Sequence, residues 1–422
     1  MTVPSSTRTR PARGTASRPT GRSLAAAAYI FAVVMMGTTM PTPLYPTLSA
    51  AFGFGSAATT VLFAVYAVGV VAGLVVFGNL SEKIGRRPVL FLAVALSLVS
   101  TVLFLVAGLP TSGAGATATG GTTTGLVLMY CGRVLSGLAA GIFTATGTVT
   151  VMENAPAGRA TFAAAVATAA NIGGLGLGIL VAGVTAEVVD TPLTTPFIVH
   201  AVMLAVAALF LPGVRDAVDR GRGVRARPRL PEIPAKVRGL FVAAVPAVIA
   251  GYTVCGVYSS LTPNFMSHEL GVSSPATIAA VTAALFIASA AAQIVLRNIS
   301  DRTLMVTGLS LLIGCAVLLV VALRLDSLAL LLIASVIGGA GQGVSFMTGM
   351  RAMTSQVEPE ERTAVTTAYF IVGYLALAVP AMLAGLLTIP LGLVGSTTVF
   401  AVLVIVLSLA GMTTVRRYGR YR

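Results

Sequence analysis

Apolar residues run along this chain in blocks of about twenty with little polar interruption, instead of recurring every second position or every third and fourth. A block of that length, wound as an α-helix rising 1.5 Å per residue, matches the roughly 30 Å hydrocarbon core of a bilayer. Twelve such blocks are predicted, near residues 25–44, 57–80, 88–108, 125–149, 161–185, 196–212, 239–261, 275–296, 303–323, 327–350, 363–387 and 392–414. The chain is therefore expected to be an all-α integral membrane protein. A polar stretch from Arg215 to Arg238, holding Pro228, Pro231 and Pro234, separates the sixth block from the seventh. The predicted organisation is a disordered basic N-terminal tail (1–23), a first six-helix bundle (24–213), a basic linker (214–238), a second six-helix bundle (239–415) and a short tail (416–422). The N-terminal tail, rich in Ser, Thr, Pro and Arg, has nothing to bury.

With 56% of its 422 residues hydrophobic and 9% charged, the chain lacks the polar surface of a water-soluble fold, which makes lipid its solvent. Cations decide the orientation, because loops rich in Lys and Arg near span ends stay on the cytoplasmic side. Placing both termini there puts 25 of the 27 cations in inner segments, with Arg324 outside and Arg133 within a span. An odd number of spans would move about half of them to the wrong face. The net charge of +14 is then topological in origin, and the scatter of arginines over several loops argues against a nucleic-acid partner. The first span follows an arginine-bearing tail, as a signal peptide would, but Pro41, Pro43 and Pro46 follow it in place of a small-residue cleavage site. It is read as helix 1 of the mature protein.

The two halves look like copies. Gly78-Asn79-Leu80-Ser81-Glu82-Lys83 after the second span corresponds to Arg297-Asn298-Ile299-Ser300-Asp301-Arg302 after the eighth, and Pro156 with Arg159 corresponds to Pro359 with Arg362. Repeats of this kind build many secondary transporters. The hairpin from Gly78 to Leu90 carries the most specific pattern, Gly78, Glu82, Lys83, Gly85, Arg86 and Arg87. It resembles the G-x-L-a-D-r-x-G-r-r signature of the major facilitator superfamily, and the resemblance extends over about residues 24–415. It implies two six-helix bundles tilting about a central cavity, and a cytoplasmic gate. There the acid, here Glu82 in place of the usual aspartate, caps the start of helix 11, and the arginines meet nearby carboxylates. In this chain Glu358, Glu360 and Glu361 at the entry to helix 11 would offer partners to Arg86 or Arg87. The alternative is that the hairpin charges only fix topology.

Arg133 is the one charge deep in a span. A cation near mid-membrane costs about 2.5–3.5 kcal/mol on insertion scales and should face the bundle interior or water. Arg133 with Gly137 resembles the R-x-x-x-G signature of family helix 4, which implies a link to substrate or proton coupling; a structural role, donating to carbonyls on neighbouring helices, is the alternative. On the fifth span Gly173, Gly174, Gly176, Gly178 and Gly183 resemble the glycine-rich signature of the family's antiporters, although Ile179 stands where that signature has proline. Small residues four apart also serve helix packing alone. Proton coupling requires a titratable group near the cavity. No carboxylate falls in mid-span. Glu153, Glu187, Asp190 and His200, the last about a turn into the sixth span, read as interfacial, and of these His200 is the remaining candidate carrier.

In the fold implied by the resemblance, helices 1, 4, 7 and 10 line the cavity, which makes Tyr29, Met36, Thr39, Ser136, Tyr252, Tyr258 and Gln342 candidate lining residues. Met, Tyr and small hydroxyls around one arginine suit an amphipathic or weakly anionic molecule better than a sugar. Cys131, Cys255 and Cys315 all fall within spans, so buried apolar roles are expected in place of disulfides. No phosphate-binding loop, metal-ligand spacing or activated nucleophile is present in the sequence, so no cofactor, metal or catalytic residue is assigned. The expected function is proton-coupled efflux of an amphipathic small molecule or drug by alternating access. An importer or uniporter of a metabolite, or a receptor that binds without transporting, are the alternatives. A monomer in a bacterial plasma membrane is expected; the preference for Arg over Lys and the wealth of Ala and Gly point to a GC-rich source.

Overall fold

The computed structural model describes residues 19–77, 80–109, 118–216 and 231–418, with side chains described at all of these positions except 56, 57, 82, 83, 118–122, 359, 360 and 416–418. The N-terminal tail up to residue 18, linker residues 217–230, Gly78, Asn79 and the end of the chain from 419 lie outside the described residues, as do the side chains of Glu82 and Lys83. Every regular element among the described residues is helical. The first bundle holds α1 (Gly21–Thr39), α2 (Ser56–Phe77), α3 (Arg86–Gly108), α4 (Ala118–Glu153), α5 (Ala160–Val188) and α6 (Thr195–Phe210). The second holds α7 (Ala235–Ser260), α8 (Pro275–Val295), α9 (Asp301–Arg324), α10 (Leu328–Thr354), α11 (359–391) and α12 (393–418).

α11 and α12 follow one another without a loop, and one residue divides them. Gly392 adopts φ +69° and ψ 175°, which is not helical and suits glycine because a Cβ is disfavoured at positive φ. Ser396 Oγ then donates to the carbonyl of Ala384, 2.6 Å away. Along an unbroken helix, residues so spaced would lie about 18 Å apart, so the chain has doubled back. With that division, the described residues hold twelve helices long and apolar enough to cross a membrane.

Local chemistry sets the ends. α1 begins earlier than expected because Thr20 and Ser23 form a reciprocal capping box: Thr20 Oγ1 accepts from the Ser23 N–H at 3.2 Å and Ser23 Oγ accepts from the Thr20 N–H at 3.0 Å. It ends at Thr39 because Pro41, Pro43 and Pro46 supply no N–H. A short helical extension, Tyr45–Phe52, continues the rod to Gly53, which caps it at φ +68°. Ser274 and Ser327 cap the starts of α8 and α10, their hydroxyls accepting from the N–H of Thr277 and Leu330.

Glycines set the closest helix contacts. Gly69 and Gly73 of α2 lie against Gly137 and Gly141 of α4, and Gly308 of α9 lies against Gly341 of α10. Lipid gives no hydrophobic drive between helices, so such backbone-on-backbone approach supplies the packing energy instead. The outward surface carries large exposed apolar side chains such as Phe91, Phe162, Leu209 and Ile389, which suit contact with acyl chains. Cys131 is exposed among them, contrary to expectation, while Cys255 and Cys315 are buried.

Among the described side chains, every Lys and Arg other than Arg133 and Arg324 lies at span ends on the face that carries the start of α1 and the end of α12. On the opposite face the two bundles pack together: α5 lies along α8, α2 along α11, and the Tyr45–Phe52 extension meets the segment Thr262–His268. A backbone N–H at Ala276 donates across this seam to Glu187 Oε2 at 3.3 Å. On the basic face the bundles separate, and the cleft between them holds the candidate site.

Candidate functional site: a central pocket below a basic vestibule

Two adjacent chambers occupy the seam. The deeper has a volume of about 50 Å³ and is lined by Thr39, Phe63, Tyr66, Asn171, Leu175, Tyr252, Cys255, Ser259, Phe286, Gln342, Phe370 and Tyr374, among others. That leaves room for only a few water molecules. The wider, about 580 Å³, opens toward the basic face between Thr144, Thr148 and Met152 of α4, Thr168 of α5, Gln293 of α8, Arg297, and Met347, Met350 and Arg351 of α10. Its size falls in the usual range for small-molecule sites. Asn171, Ile172 and Phe370 line both chambers and so stand between them.

Of the cavity residues expected from the sequence, the structure places Thr39, Tyr252 and Gln342 on the central pocket. The others point elsewhere. Tyr29 hydrogen-bonds the carbonyl of Met203 and its ring meets Phe210 edge-on; Met36 is buried beneath Gly178; Ser136 donates to the carbonyl of Arg133; Tyr258 donates to the carbonyl of Leu331 between α7 and α10. To the expected contributions of spans 1, 4, 7 and 10 the structure adds an aromatic wall from α2 and α11. Tyr66 and Tyr374 meet at 6.4 Å, Tyr374 and Tyr252 at 6.0 Å, and Phe346 stacks on Tyr369 at 5.1 Å. The sequence signal for this wall was the spacing of Tyr369, Phe370 and Tyr374 with Phe63 and Tyr66, inside spans otherwise of Val, Leu and Ala.

Asn171 was also missed. It sits in a π-helical turn, Ala169–Gly173, inserted in α5. Such turns add one residue to a helical turn and recur at functional sites, and this one turns an amide toward both chambers.

Arg133 lies directly behind the pocket. It is 1% exposed, its Nε donates to the carbonyl of Leu62 on α2 at 3.2 Å, and its Nη1 donates to the carbonyl of Thr38 on α1. The guanidinium stands over the Tyr66 ring at 4.6 Å and near Phe63 at 5.9 Å, positions where a desolvated cation gains from the ring quadrupole. Its Nη2 has no hydrogen-bond partner among the described residues. Gly137, one turn on, presses against the Tyr66 carbonyl and Gly69, which holds α4 close enough to α2 for Arg133 to reach.

His200 is 1% exposed and sits between α1, α3 and α6, away from both chambers, where the sequence had suggested an interfacial position. Its Nε2–H donates to the Val33 carbonyl at 2.9 Å, and its Nδ1 is 2.8 Å from Thr101 Oγ1, which in turn lies 2.8 Å from the Ser97 carbonyl. The Thr101 hydroxyl has a single proton. It serves Nδ1 when the ring is neutral and the Ser97 carbonyl when the ring is protonated, so the geometry accommodates either state.

The glycines of α5 divide by direction. Gly174 and Gly178 lie on Ala32 and Met36 of α1, Gly176 and Gly183 lie on α8 of the other bundle, and Gly173 faces open space.

At the basic face the hairpin differs from the expected latch. Arg86, 7% exposed, grips Glu153 at the end of α4 with Nε and Nη2 at 3.2 and 3.0 Å, and its Nη1 donates to Ser81 Oγ at 2.7 Å. Its N–H donates to Asp216 at 2.9 Å, and Arg87 donates to the carbonyls of Pro212 and Val214. Gly85 has φ +101°, and the Asp216 carboxylate fills the space a Cβ would need. Among the described side chains the ties of these arginines lie within the first bundle, and the expected pairing with the entry to helix 11 is not among them. With the cleft open on this face, the described acid Glu361 instead pairs with Lys236 at 3.0 Å.

Among the described residues no group of His, Cys, Asp and Glu is placed to hold a metal ion. Comparison with solved structures finds a bacterial homologue of the human lysosomal transporter Spinster, in an inward-facing and unoccupied conformation. It is 14% identical with a TM-score of 0.68, covering 95% of this chain and 98% of that one. The same homologue in an inward-facing and occupied conformation aligns at 14% identity and a TM-score of 0.66, covering 94% and 97%. No curated protein matches the chain significantly. The profile of the Major Facilitator Superfamily matches residues 27–379 and again 240–420. Spanning nearly the whole of both bundles, that match makes the chain a member of the major facilitator superfamily of membrane transporters.

Proposed function

We infer that this transporter exports an amphipathic small molecule across the plasma membrane in exchange for protons, by alternating access. The observation that carries the reading is the asymmetry of the seam. An aromatic and amide-lined pocket adjoins a wide vestibule on the basic face, while α5 and α8 seal the opposite face. The excess of Lys and Arg assigns the open face to the cytoplasm, and the inward-facing state of the Spinster homologue supports the same assignment. The polar share of the pocket wall is small, as suits a substrate with a large apolar part.

For coupling, the reading assigns the proton to His200, the buried one of two histidines, since His268 is exposed. His200 touches α1 at Val33 and Gly37, and Thr39 of the same helix lines the pocket. A proton on the ring therefore bears on the helix that meets the substrate. A fluorescent-dye efflux screen in cells lacking their own pumps identifies a transported compound. In proteoliposomes that compound then dissipates an imposed pH gradient, and His200→Gln retains exchange of the compound while losing the gradient dependence. Uptake of the compound without proton movement would favour the importer or uniporter instead.

A further inference from the structure

We propose that Arg297 and Arg351 form a docking site in the vestibule for the anionic head of an amphiphile whose apolar part extends toward the central pocket. This rests on the transporter reading above and adds the charge class of what is carried. Both arginines line the wider chamber, and no carboxylate does so among the described residues. Arg351 is partly engaged: its Nε meets Asp301 Oδ1 at 3.2 Å and its Nη1 donates to the Arg297 carbonyl at 2.8 Å. Its Nη2 is buried and has no partner among the described residues. The side chain of Arg297, half-buried, forms no hydrogen bond or ion pair among the described residues. Asp301 offsets one of the two charges and leaves the other uncompensated beside an apolar wall of Phe346, Phe370, Met347 and Met350. An unpaired arginine lining a cavity, as Arg297 does, favours carboxylate, sulfonate or phosphate, which accept charge-assisted hydrogen bonds.

The site also has a polar path inward. Gln293 in the vestibule donates from Nε2 to Ser289 Oγ at 3.3 Å, and that hydroxyl donates to Oε1 of Gln342 in the central pocket at 2.7 Å. From Arg351 to Gln342 the rise along α10 is about 13 Å, the reach of a medium-length alkyl chain.

The test uses the purified full-length transporter in nanodiscs of phosphatidylcholine, with dansylaminoundecanoate and its uncharged methyl ester as probes matched in everything but the head. The wild type should bind the acid at least about tenfold more tightly than the ester, and Arg297→Gln should reduce that preference to about twofold or less, since one charge-assisted contact is of that order. Arg297→Lys should retain most of the preference, which separates loss of charge from loss of shape. An unaltered thermal unfolding midpoint in Arg297→Gln shows that the variant is folded, as expected for a side chain that ties no helix. Equal binding of acid and ester by the wild type, no saturable binding of the acid, or an undiminished preference in Arg297→Gln would each overturn the proposal. Adding phosphatidylglycerol to the discs distinguishes the source of the head: competition with the probe assigns it to a membrane lipid, and its absence to a free anion. Transport failing for every compound while the acid preference holds would refute the exporter reading alone.

Discussion

At the scale of single residues, burial decides what each side chain can do. Arg133 was legible as an expensive charge because no other ionised group lies in mid-span. Its partners were not legible, since they are backbone carbonyls of Leu62 and Thr38 brought over from two other helices. His200 looked interfacial from its place in the sequence, yet the packing of α1 against α6 encloses it. The glycines of α5 show the same limit: a cluster is visible in sequence, but which members are crowded depends on the neighbours. Gly178→Ala should destabilise the protein by about 1–3 kcal/mol, because the new methyl has to displace the backbone of Met36. Gly173→Ala, facing open space, should stay within about 0.5 kcal/mol of the wild type. Denaturation midpoints in detergent compare the two directly. Equal effects would mean that the directional packing of α5 is wrong.

At the scale of elements, the apolar blocks marked the long helices in advance, because bilayer thickness imposes a similar length on every crossing. The ends shifted for local reasons: the Thr20–Ser23 box extends α1, the prolines after Thr39 end it, and Gly392 folds the last two spans back with no loop between them. Helix faces were less legible, since spans in lipid are apolar all round and periodicity carries little signal. That is why α2 and α11 were missing from the expected cavity wall. The hairpin between α2 and α3 clasps the end of α4 through Arg86 and Glu153, and the corresponding hairpin before α9 clasps the end of α10 through Asp301 and Arg351. The charges are reversed but the tie is the same, as expected of two copies that have diverged. Arg86→Ala should cost about 1.5–3 kcal/mol, since it strips a half-buried carboxylate of a bidentate partner. It should also slow transport of the dye found by the efflux screen while leaving surface expression intact. Unaltered stability and transport would remove the clasp from the account, as would a protein that no longer reaches the membrane.

At the scale of the whole molecule, the account rests on two rigid bundles that exchange which face of their shared seam is open. The present state has the basic face open and the other sealed by small residues, with Gly176 and Gly183 of α5 set against α8. Contacts this close and this apolar can part without stranding a buried charge, whereas the Arg86 and Arg351 ties lie within bundles and survive the movement. The most direct test measures two distances by pulsed electron spin resonance in nanodiscs. One spin-label pair stands at the exposed positions 158 and 356 on the basic face, and the other at the exposed positions 188 and 273 on the opposite face. On adding the transported dye, the account predicts a population in which the first distance shortens while the second lengthens. Both distances unchanged, or both moving in the same direction, would contradict it.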